Sequence, residues 1–312
     1  MKARHFPVRK ILFFSAIVLL GALLPLAVSS SYWLHVLAMA YFYGLVAATW
    51  SFLDGYAGQF SFGNIALVMI AGYTSGLLGE YTGLPLLLRI VAGIAMSGLV
   101  GLVIGALCLR FKGAYLSLFT IAFAEAVRLI INTEHRFTRG PCGLRVDGFF
   151  DTTSQVPYYY LMFGILVVSI FVMYRMLRSK WGLFFRAIRE DEDAASALGV
   201  NVVRYKITAF VVTSMFCGVA GVFYAHFNRM LAPNFGQITT MGLIIGMAVI
   251  GGVENLVAAA MGGVLLQFGL EGLRDLGAWR LVVFGALLMI VLRFARNGLL
   301  APLYRKLMGE EL

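Results

Sequence analysis

The sequence predicts an all-α polytopic transmembrane helical bundle of about ten spans, within a range of eight to eleven, with both termini in the cytoplasm. Hydrophobic residues occupy 61% of the 312 positions and charged residues only 13%, which is more apolar surface than a soluble domain of this length buries. Residues 11–53 contain no Asp, Glu, Lys or Arg, and at about 20 residues per crossing this run supplies two spans. The run does not alternate polar and apolar residues, so helices are expected to satisfy its backbone hydrogen bonds.

Further apolar runs follow along the chain. Because no Pro-rich linker, soluble domain or low-complexity tract separates them, residues 1–312 are assigned to a single transmembrane domain. The long charge-free runs are Gly55–Gly79, Ile90–Leu109, Thr152–Tyr174, Ile207–Asn228 and Met230–Val253, and the shorter ones are Gly113–Ala124, Asn255–Leu270 and Leu281–Leu292.

The first segment is compatible with a cleaved signal peptide or with a retained anchor. Met1–Lys10 is basic, Ile11–Ala27 is apolar, and Ala27-Val28-Ser29 resembles a cleavage site. The apolar stretch is long for a signal peptide and runs almost directly into a second span. We therefore predict an uncleaved anchor helix, which sequencing of the mature N-terminus would test.

The distribution of Lys and Arg predicts the orientation. Ten helices with the N-terminus inside place 17 of the 25 basic residues on the cytoplasmic side, where short loops of membrane proteins accumulate them. The net charge of +10 then follows from topology and requires no nucleic-acid partner. Residues 178–206 become a cytoplasmic loop and residues 132–157 an outer loop. The inner basic residues are Lys2, Arg4, Arg9, Lys10, Arg110, Lys112, Arg175, Arg178, Lys180, Arg186, Arg189, Arg204, Lys206, Arg293, Arg296, Arg305 and Lys306.

No catalytic motif is evident in the sequence. The patterns GxSxG and HExxH and a close Ser, His and Asp grouping are absent. The three Cys and four His show no metal-ligand spacing. The dipeptide Gly-Lys, which a phosphate-binding loop requires, occurs nowhere in the chain. We therefore predict a chain that is not an enzyme, binds no metal or cofactor, and relies on another subunit for any ATP-driven work.

The inner loop carries the most informative pattern. The four acids Glu190–Asp193 precede a run of small residues that ends at Gly199. In a short helix the acids would lie near the positive N-terminal end, and Gly199 would stop the helix. Ala194, Ala195 and Ala197 would then form a smooth knob suited to a partner's groove. A solvated connector would carry its charges in the same places.

Several segments resemble a known family. Asp193-Ala194-Ala195-xxx-Gly199 resembles the EAAxxxG loop of ABC-importer permeases, with Asp in place of Glu. Four segments in order along the chain resemble branched-chain amino-acid permeases, in particular the M-type subunit of the LIV system. Cys142 stands where Asn is common in that family, which bears on the substrate or on outer-loop contacts. The four segments are Gly55–Gly63, Lys112–Leu116 with Phe123–Leu129, Thr138–Leu144, and Arg186–Gly199.

The resemblance implies a role in transport. A sibling permease, two ATPase subunits and a periplasmic substrate-binding protein would assemble with the chain in the bacterial inner membrane. The complex would import Leu, Ile or Val, and ATP would bind only to the partner subunits. The 186–199 loop would contact the ATPases through Arg186, Ala187, Arg189, Glu190, Asp191, Asp193, Ala194, Ala195, Leu198 and Gly199.

Three alternatives to this function remain. A permease for urea or another small solute would resemble the chain equally well at this level. A stand-alone ion-coupled carrier would need an intramembrane charge, for which Glu125, Glu254 and Glu271 are available. A membrane-embedded enzyme is disfavoured because no reactive cluster lies near either interface.

Polar residues within apolar runs are candidates for a translocation pathway, because a central charge in lipid costs about 2.5–3.5 kcal/mol on insertion scales. Glu125 and Arg128 share a helix face, which suits a structural ion pair as well as a gate. Gly58–Ser61 and Gly236–Thr239 are similar polar breaks, either helix starts at the membrane surface or corresponding points of an internal repeat. The pathway candidates are Gln59, Ser61, Asn64, Glu125, Arg128 and Gln237.

The last third of the chain contains features that we predict to be structural. Glu271 and Arg274 have the spacing of an ion pair on one helix face. Gly251-Gly252 and Gly262-Gly263 are expected to permit tight helix packing.

Overall fold

The computed structural model describes residues 19, 21–25, 30–109, 111, 113–152, 154–295 and 298–302. The predicted basic N-terminal segment and most of the first span, including its possible cleavage site, lie outside these residues. The same holds for five of the basic residues assigned to the inner side after the first span, namely Arg110, Lys112, Arg296, Arg305 and Lys306.

The described part of the chain is built almost entirely of helices. A π-helical turn at Phe52–Tyr56 extends the first of them, and short 3₁₀ turns lie at Gly140–Cys142, Pro233–Gly236 and Arg274–Leu276. Two short strands, β1 (Leu144–Arg145) and β2 (Met230–Leu231), pair antiparallel. The helices are α1 (Ser31–Ser51), α2 (Asn64–Thr82), α3 (Leu86–Cys108), α4 (Ala114–Thr133), α5 (Val156–Leu177), α6 (Lys180–Glu190), α7 (Glu192–Ala197), α8 (Val202–Asn228), α9 (Ile238–Gly251), α10 (Leu256–Gly272) and α11 (Trp279–Phe294).

Five helices in the described residues are long and apolar enough to cross a membrane. They are α1 with its π-helical turn, α3, α4, α5 and α8, while α9 and α10 are apolar but shorter. The prediction of a helical membrane protein is confirmed. The number of ten spans and the cytoplasmic location of the termini stay predictions.

The helices run between two ends of the bundle. The Arg189 end comprises α6, α7, the π-helical turn and residues 252–255 between α9 and α10, and Arg189 there donates a hydrogen bond to the carbonyl of Gly55. The Arg229 end comprises residues 134–155 and the start of α1, and Arg229 there donates to the carbonyl of Phe150 (3.1 Å). Helix α1 is central, with 89% of its apolar window buried, whereas α4 is peripheral with 22% buried.

Close packing in the centre depends on glycines that bring helix backbones together. A methyl group added at Gly221 of α8 would lie 2.0 Å from the carbonyl oxygen of Val68 in α2. One added at Gly263 of α10 would lie 2.7 Å from the Cα of Gly44 in α1. The predicted tight packing at the glycine pairs is confirmed by Gly262, whose added methyl would meet the carbonyl of Met247 at 2.4 Å. In lipid the hydrophobic effect does not drive helices together. Small residues instead allow close van der Waals packing between their backbones.

The Gly44–Gly263 contact predicts a specific loss of stability. Gly263→Leu forces α1 and α10 apart, and we expect it to cost about 1–3 kcal/mol of unfolding free energy, as overpacking does elsewhere. The matched control is Gly285→Leu, because a methyl group at Gly285 in α11 has no neighbour within 4 Å. Thermal unfolding of the purified protein in detergent measures both, and equal midpoints for the two variants would contradict this packing argument.

Candidate functional site

The predicted inner loop folds into two helices that lie against the bundle. Helix α6 begins where the side chain of Ser179 accepts a hydrogen bond from the backbone N–H of Trp181 (3.3 Å). It buries Gly182, Phe185 and Ile188 along one face. The ring of Phe185 meets that of Phe52 edge to face at 5.8 Å. Helix α6 therefore packs on the π-helical turn that ends α1.

Helix α7 is fixed at both of its ends by local hydrogen bonds. The side chain of Asp191 accepts from the N–H groups of Asp193 (2.9 Å) and Ala194 (3.0 Å), which caps the N-terminus. At the other end Gly199 has φ +84°, and its N–H donates to the carbonyl of Ser196 (2.9 Å). The N–H of Val200 donates to the carbonyl of Ala195 (3.0 Å), which completes a Schellman motif. The acidic start and the Gly199 stop are as the sequence predicts.

Two details of that prediction are wrong. Glu190 is the last residue of α6, because the backbone is extended at Asp191 and the helix direction changes there. Ala195 is only 3% exposed and packs inward, so it is not part of the outer surface of the knob. Asp193, Ala194, Ala197 and Gly199 are exposed, and Leu198 is 85% exposed.

Arg189 joins α6 to two other segments, and we call this contact the Arg189 junction. Its guanidinium donates to the carbonyl of Gly55 and forms an ion pair with Glu254. The hydrogen bond to Glu254 raises the pKa of Arg189, so the guanidinium stays charged. A methyl group at Gly58, where φ is +65°, would lie 3.0 Å from the Cγ of Arg189. Arg186 lies over the ring of Tyr56 at 5.5 Å.

The π-helical turn at this junction is held against the segment between α9 and α10. A methyl group at Gly55 would lie 2.1 Å from the carbonyl oxygen of Val253. The Ser51 hydroxyl donates to that same carbonyl (2.6 Å). The Arg189 junction therefore connects α6 to two points that already touch each other, the end of α1 and the start of α10.

Three of the predicted pathway residues lie between the π-helical turn and the first turn of α2 and are buried. Gln59 is 3% exposed, Ser61 1% and Asn64 0%. The Ser61 hydroxyl accepts from the N–H of Gly63 (3.0 Å), and Trp50 Nε1 donates to the Ser61 carbonyl (2.9 Å). The Nε2 of Gln59 and both amide atoms of Asn64 have no hydrogen-bond partner among the described residues. This segment is a polar region inside the bundle.

Glu125 and Arg128 form the predicted ion pair on α4. Arg128 donates through Nε (2.9 Å) and through Nη2 to the two carboxylate oxygens of Glu125. The side chains are 42% exposed for Glu125 and 18% for Arg128. The pair is separate from the Gln59 segment and lies on the most exposed of the five long apolar helices.

Gln237 follows a turn that dips into the bundle. The chain leaves β2, forms the 3₁₀ turn Pro233–Gly236 and then starts α9. A methyl group at Gly236 would lie 1.8 Å from the Sδ of Met69, in the second turn of α2, and the ring of Phe235 stacks on Tyr224 at 4.0 Å. Helix α9 therefore follows a turn that is buried in the bundle at Pro233 and Gly236, while Gln237 at the N-terminus of the helix is exposed.

A charged cavity of about 840 Å³ opens at the Arg229 end. Arg89 pairs there with Asp147 (3.1 Å). Buried His226 contacts the Ser75 hydroxyl (2.8 Å) and the Asp147 carbonyl (2.6 Å), which holds the wall in place. The cavity lining therefore carries both signs of charge. The lining residues are Gly76, Gly79, Glu80, Arg89, Arg145, Val146, Asp147, Gly148, Asp151, Arg229 and Met230.

The predicted structural pair near the chain's end is present. Arg274 lies 3.5 Å from Glu271, and both bond the hydroxyl of Tyr32 at the start of α1. Sequence reasoning missed the charged cavity and the turn inside the bundle. No local pattern signals either one, because both depend on contacts between distant segments. By contrast, the recurrence of polar residues along one flank of α4 is visible in the sequence and could have been found there.

The fold and these sites define a helical membrane protein with a capped surface helix, and comparison with known proteins assigns its class. A family model described as "Branched-chain amino acid transport system / permease component" matches residues 32–292. The chain belongs to this family. The matched range includes all of α1 except its first residue, the helices α2 to α10 and the Arg189 junction.

Individual relatives agree with that assignment. The high-affinity branched-chain amino acid transport system permease protein LivM of Salmonella typhimurium is 27% identical over 94% of this chain and 75% of its own length, and LivM of Escherichia coli gives the same values. The fructose import permease protein FrcC of Rhizobium meliloti is 24% identical over 73% of this chain and 68% of its own. No solved structure matches the chain.

The Arg189 junction predicts the local stability of α6 and α7. Arg189→Ala removes the donor to the Gly55 carbonyl and the partner of Glu254, and since Arg189 is 31% exposed the ion pair itself contributes little. We expect the population in which α6 and α7 are locally unfolded to increase about two- to tenfold, as for the loss of one hydrogen bond. Limited proteolysis of the purified protein measures this. The control is Arg186→Ala on the same helix, and equal cleavage rates in the two variants would count against the junction.

Proposed function

We propose that this chain is the membrane-spanning permease subunit of an ATP-driven importer of branched-chain amino acids. The observation that carries the proposal is α7, which is capped at both ends, projects an exposed surface and is tied through α6 to the transmembrane helices. Family membership and the branched-chain amino acid transport for which the LivM relatives are named support the substrate class. A rigid surface helix of this kind suits docking into a groove on a partner.

The proposed topology places the Arg189 end in the cytoplasm and gives the chain ten spans in the bacterial inner membrane. Basic residues support this orientation, because they concentrate on cytoplasmic segments of membrane proteins. Arg178, Lys180, Arg186, Arg189 and Arg204 all lie at the Arg189 end, on α6 or within a few residues of it and α7. The Arg229 end, with its cavity of mixed charge, then faces the periplasm and receives a substrate-binding protein.

The proposed mechanism requires partner subunits. A sibling permease completes the pore, and two ATPase subunits contact α7 from the cytoplasm. The sequence contains no Gly-Lys dipeptide for a phosphate-binding loop, so ATP binds on those subunits. When they move α7, Arg189 carries the displacement to Gly55 at the end of α1 and to Glu254 before α10. This changes which side of the membrane the pathway opens to.

The docking surface is tested by crowding α7. Ala194→Trp fills the exposed surface, and Gly199→Val strains a position with φ +84°. We expect both variants to keep basal ATP hydrolysis in the assembled complex and to lose at least about 90% of uptake, since α7 would no longer seat on the ATPase subunit. Uptake and hydrolysis are measured together in proteoliposomes.

The matched control for crowding is Ala106→Trp, which places the same side chain at an exposed position within α3. Normal coupling of hydrolysis to uptake in both α7 variants would rule out α7 as the ATPase contact. Loss of coupling in the Ala106→Trp control as well would point to general damage.

Reconstitution tests the function itself. The purified chain should take up no leucine alone and should do so when its sibling, ATPase subunits, binding protein and ATP are present. Ion-driven uptake by the chain alone would replace the proposal with a stand-alone carrier. ATP-driven uptake of urea or another small solute, with none of leucine, isoleucine or valine, would keep the permease and change its substrate.

A further inference from the structure

Helix α4 carries a polar stripe along one flank. Ser117, Glu125, Arg128 and Asn132 are spaced 8, 11 and 15 residues from the first, which aligns them on one side of a helix with Ile121 in the remaining turn. All five residues are half-buried. The neighbouring face, with Leu118, Ala122 and Leu129, is exposed and apolar. One flank of this membrane helix is therefore unsuited to lipid.

The Glu125–Arg128 pair lies near the middle of the membrane-spanning helix. Glu125 is about 16 Å from the first residue of α4 in a helix about 30 Å long. Ionisable groups at such depth face protein or water, because hydrocarbon does not solvate them. Yet the Glu125 side chain is 42% exposed on this chain. Its surroundings in the membrane must therefore be a water-filled path or another molecule.

The pair has hydrogen-bonding capacity to spare. Its side-chain hydrogen bonds within the described residues are those that Arg128 makes to Glu125 through Nε and Nη2. A guanidinium has five N–H donors and a carboxylate can accept about four hydrogen bonds. A pair that only joined helices would bond across to another helix. This pair joins two turns of the same helix and leaves its outer side open.

We propose that the polar flank of α4 lines the translocation route and that Glu125 and Arg128 together bind the head group of a zwitterionic amino acid. Glu125 accepts hydrogen bonds from the substrate's ammonium group, and Arg128 donates to its carboxylate, the geometry for which guanidinium is best suited. This assignment rests on the proposed function, since it requires an amino-acid substrate.

Exchange of partners explains how a doubly charged solute crosses with little penalty. In the empty state the two side chains neutralise each other. When the zwitterion enters, each charge finds an opposite charge on the substrate, so the total charge of the site stays zero throughout. Ile121, one turn away on the same flank, offers an apolar surface beside the head-group site for a branched alkyl chain.

Cysteine labelling tests whether this flank meets water. The background is Cys142→Ser, because Cys142 is exposed whereas Cys108 and Cys217 are buried. Ile121→Cys and Ala122→Cys are compared in the complete importer in liposomes with a charged, water-soluble thiol reagent. Ala122 is more exposed than Ile121 on the isolated chain. Exposure alone would therefore predict faster labelling of Ala122→Cys, whereas we expect faster labelling of Ile121→Cys.

We expect Ile121→Cys to be labelled at least about tenfold faster than Ala122→Cys, since the reagent reacts with thiolate in water and is excluded from lipid. Ser117→Cys and Asn132→Cys should behave like Ile121→Cys. Equal labelling of the two flanks, or faster labelling of Ala122→Cys, would overturn the assignment of the route.

Charge variants test the head-group site. Glu125→Gln should lower leucine uptake about tenfold or more, the usual value of a hydrogen bond to a charged group, while the Tm of the complex, which reports folding and assembly, stays near wild type. The swap of Glu125→Arg with Arg128→Glu restores the ion pair but reverses its polarity against the substrate. It should remain as defective as Glu125→Gln.

Recovery of wild-type uptake in the swapped variant would show a structural pair and overturn the head-group site. Failure of the head-group site can be distinguished from failure of the proposed function. If the wild-type complex takes up no branched-chain amino acid, the proposed function fails. If the wild type transports leucine and the swapped variant does too, only the head-group site fails.

Discussion

The backbone contact between α8 and α2 sets the position of the functional features. Gly221 leaves no room for a side chain against the Val68 carbonyl, and Gly72, one turn further along α2, meets the carbonyl of Gly221 (3.0 Å from an added methyl). Because these two helices touch directly, the chain after α8 is held close to α2. That is where β2 pairs, where Gly236 meets Met69, and where the turn before α9 is buried. In lipid, where helices gain little from apolar contact, such backbone proximity is what positions them.

A second glycine contact holds together the two segments to which Arg189 bonds, the end of α1 and the start of α10. Gly44 and Gly263 hold α1 against α10, and the carbonyl of Val253 receives the Ser51 hydroxyl at the end of the same pair. Gly55 and Glu254 therefore belong to one packed unit. In the proposed mechanism, a displacement of Arg189 would act on α1 and α10 together. Arg189 therefore links the segment that carries α7 to both α1 and α10, beside the packing of Phe185 on Phe52.

The sequence predicted the features that depend on near neighbours. Asp191 and Gly199 define the ends of α7 by local hydrogen bonds, and the spacing of Glu125 and Arg128 defines their pair. The sequence could not predict the burial of residues whose surroundings are formed by distant segments of the chain. Ala195 has the same composition cue as Ala194, yet only the fold decides that one is buried. Gln59 and Gln237 look alike in sequence, but packing buries the first and leaves the second exposed at the start of α9. The cavity at the Arg229 end is lined by parts of α2 and α3, by residues within 145–151 and by residues 229–230, so it has no local signature.

Asp191 ends α6 and caps α7, so the two helices share a residue and no linker lies between them. Mechanically, this joint has little compliance. If a flexible linker joined the two helices, it would bend when α7 moved. The displacement of the membrane helices would then be smaller than that of α7. Here the Schellman turn at Gly199 limits slack on the far side as well. In the proposed importer, a shift of α7 would therefore move α6 with it, and little of the displacement would be taken up between the two helices.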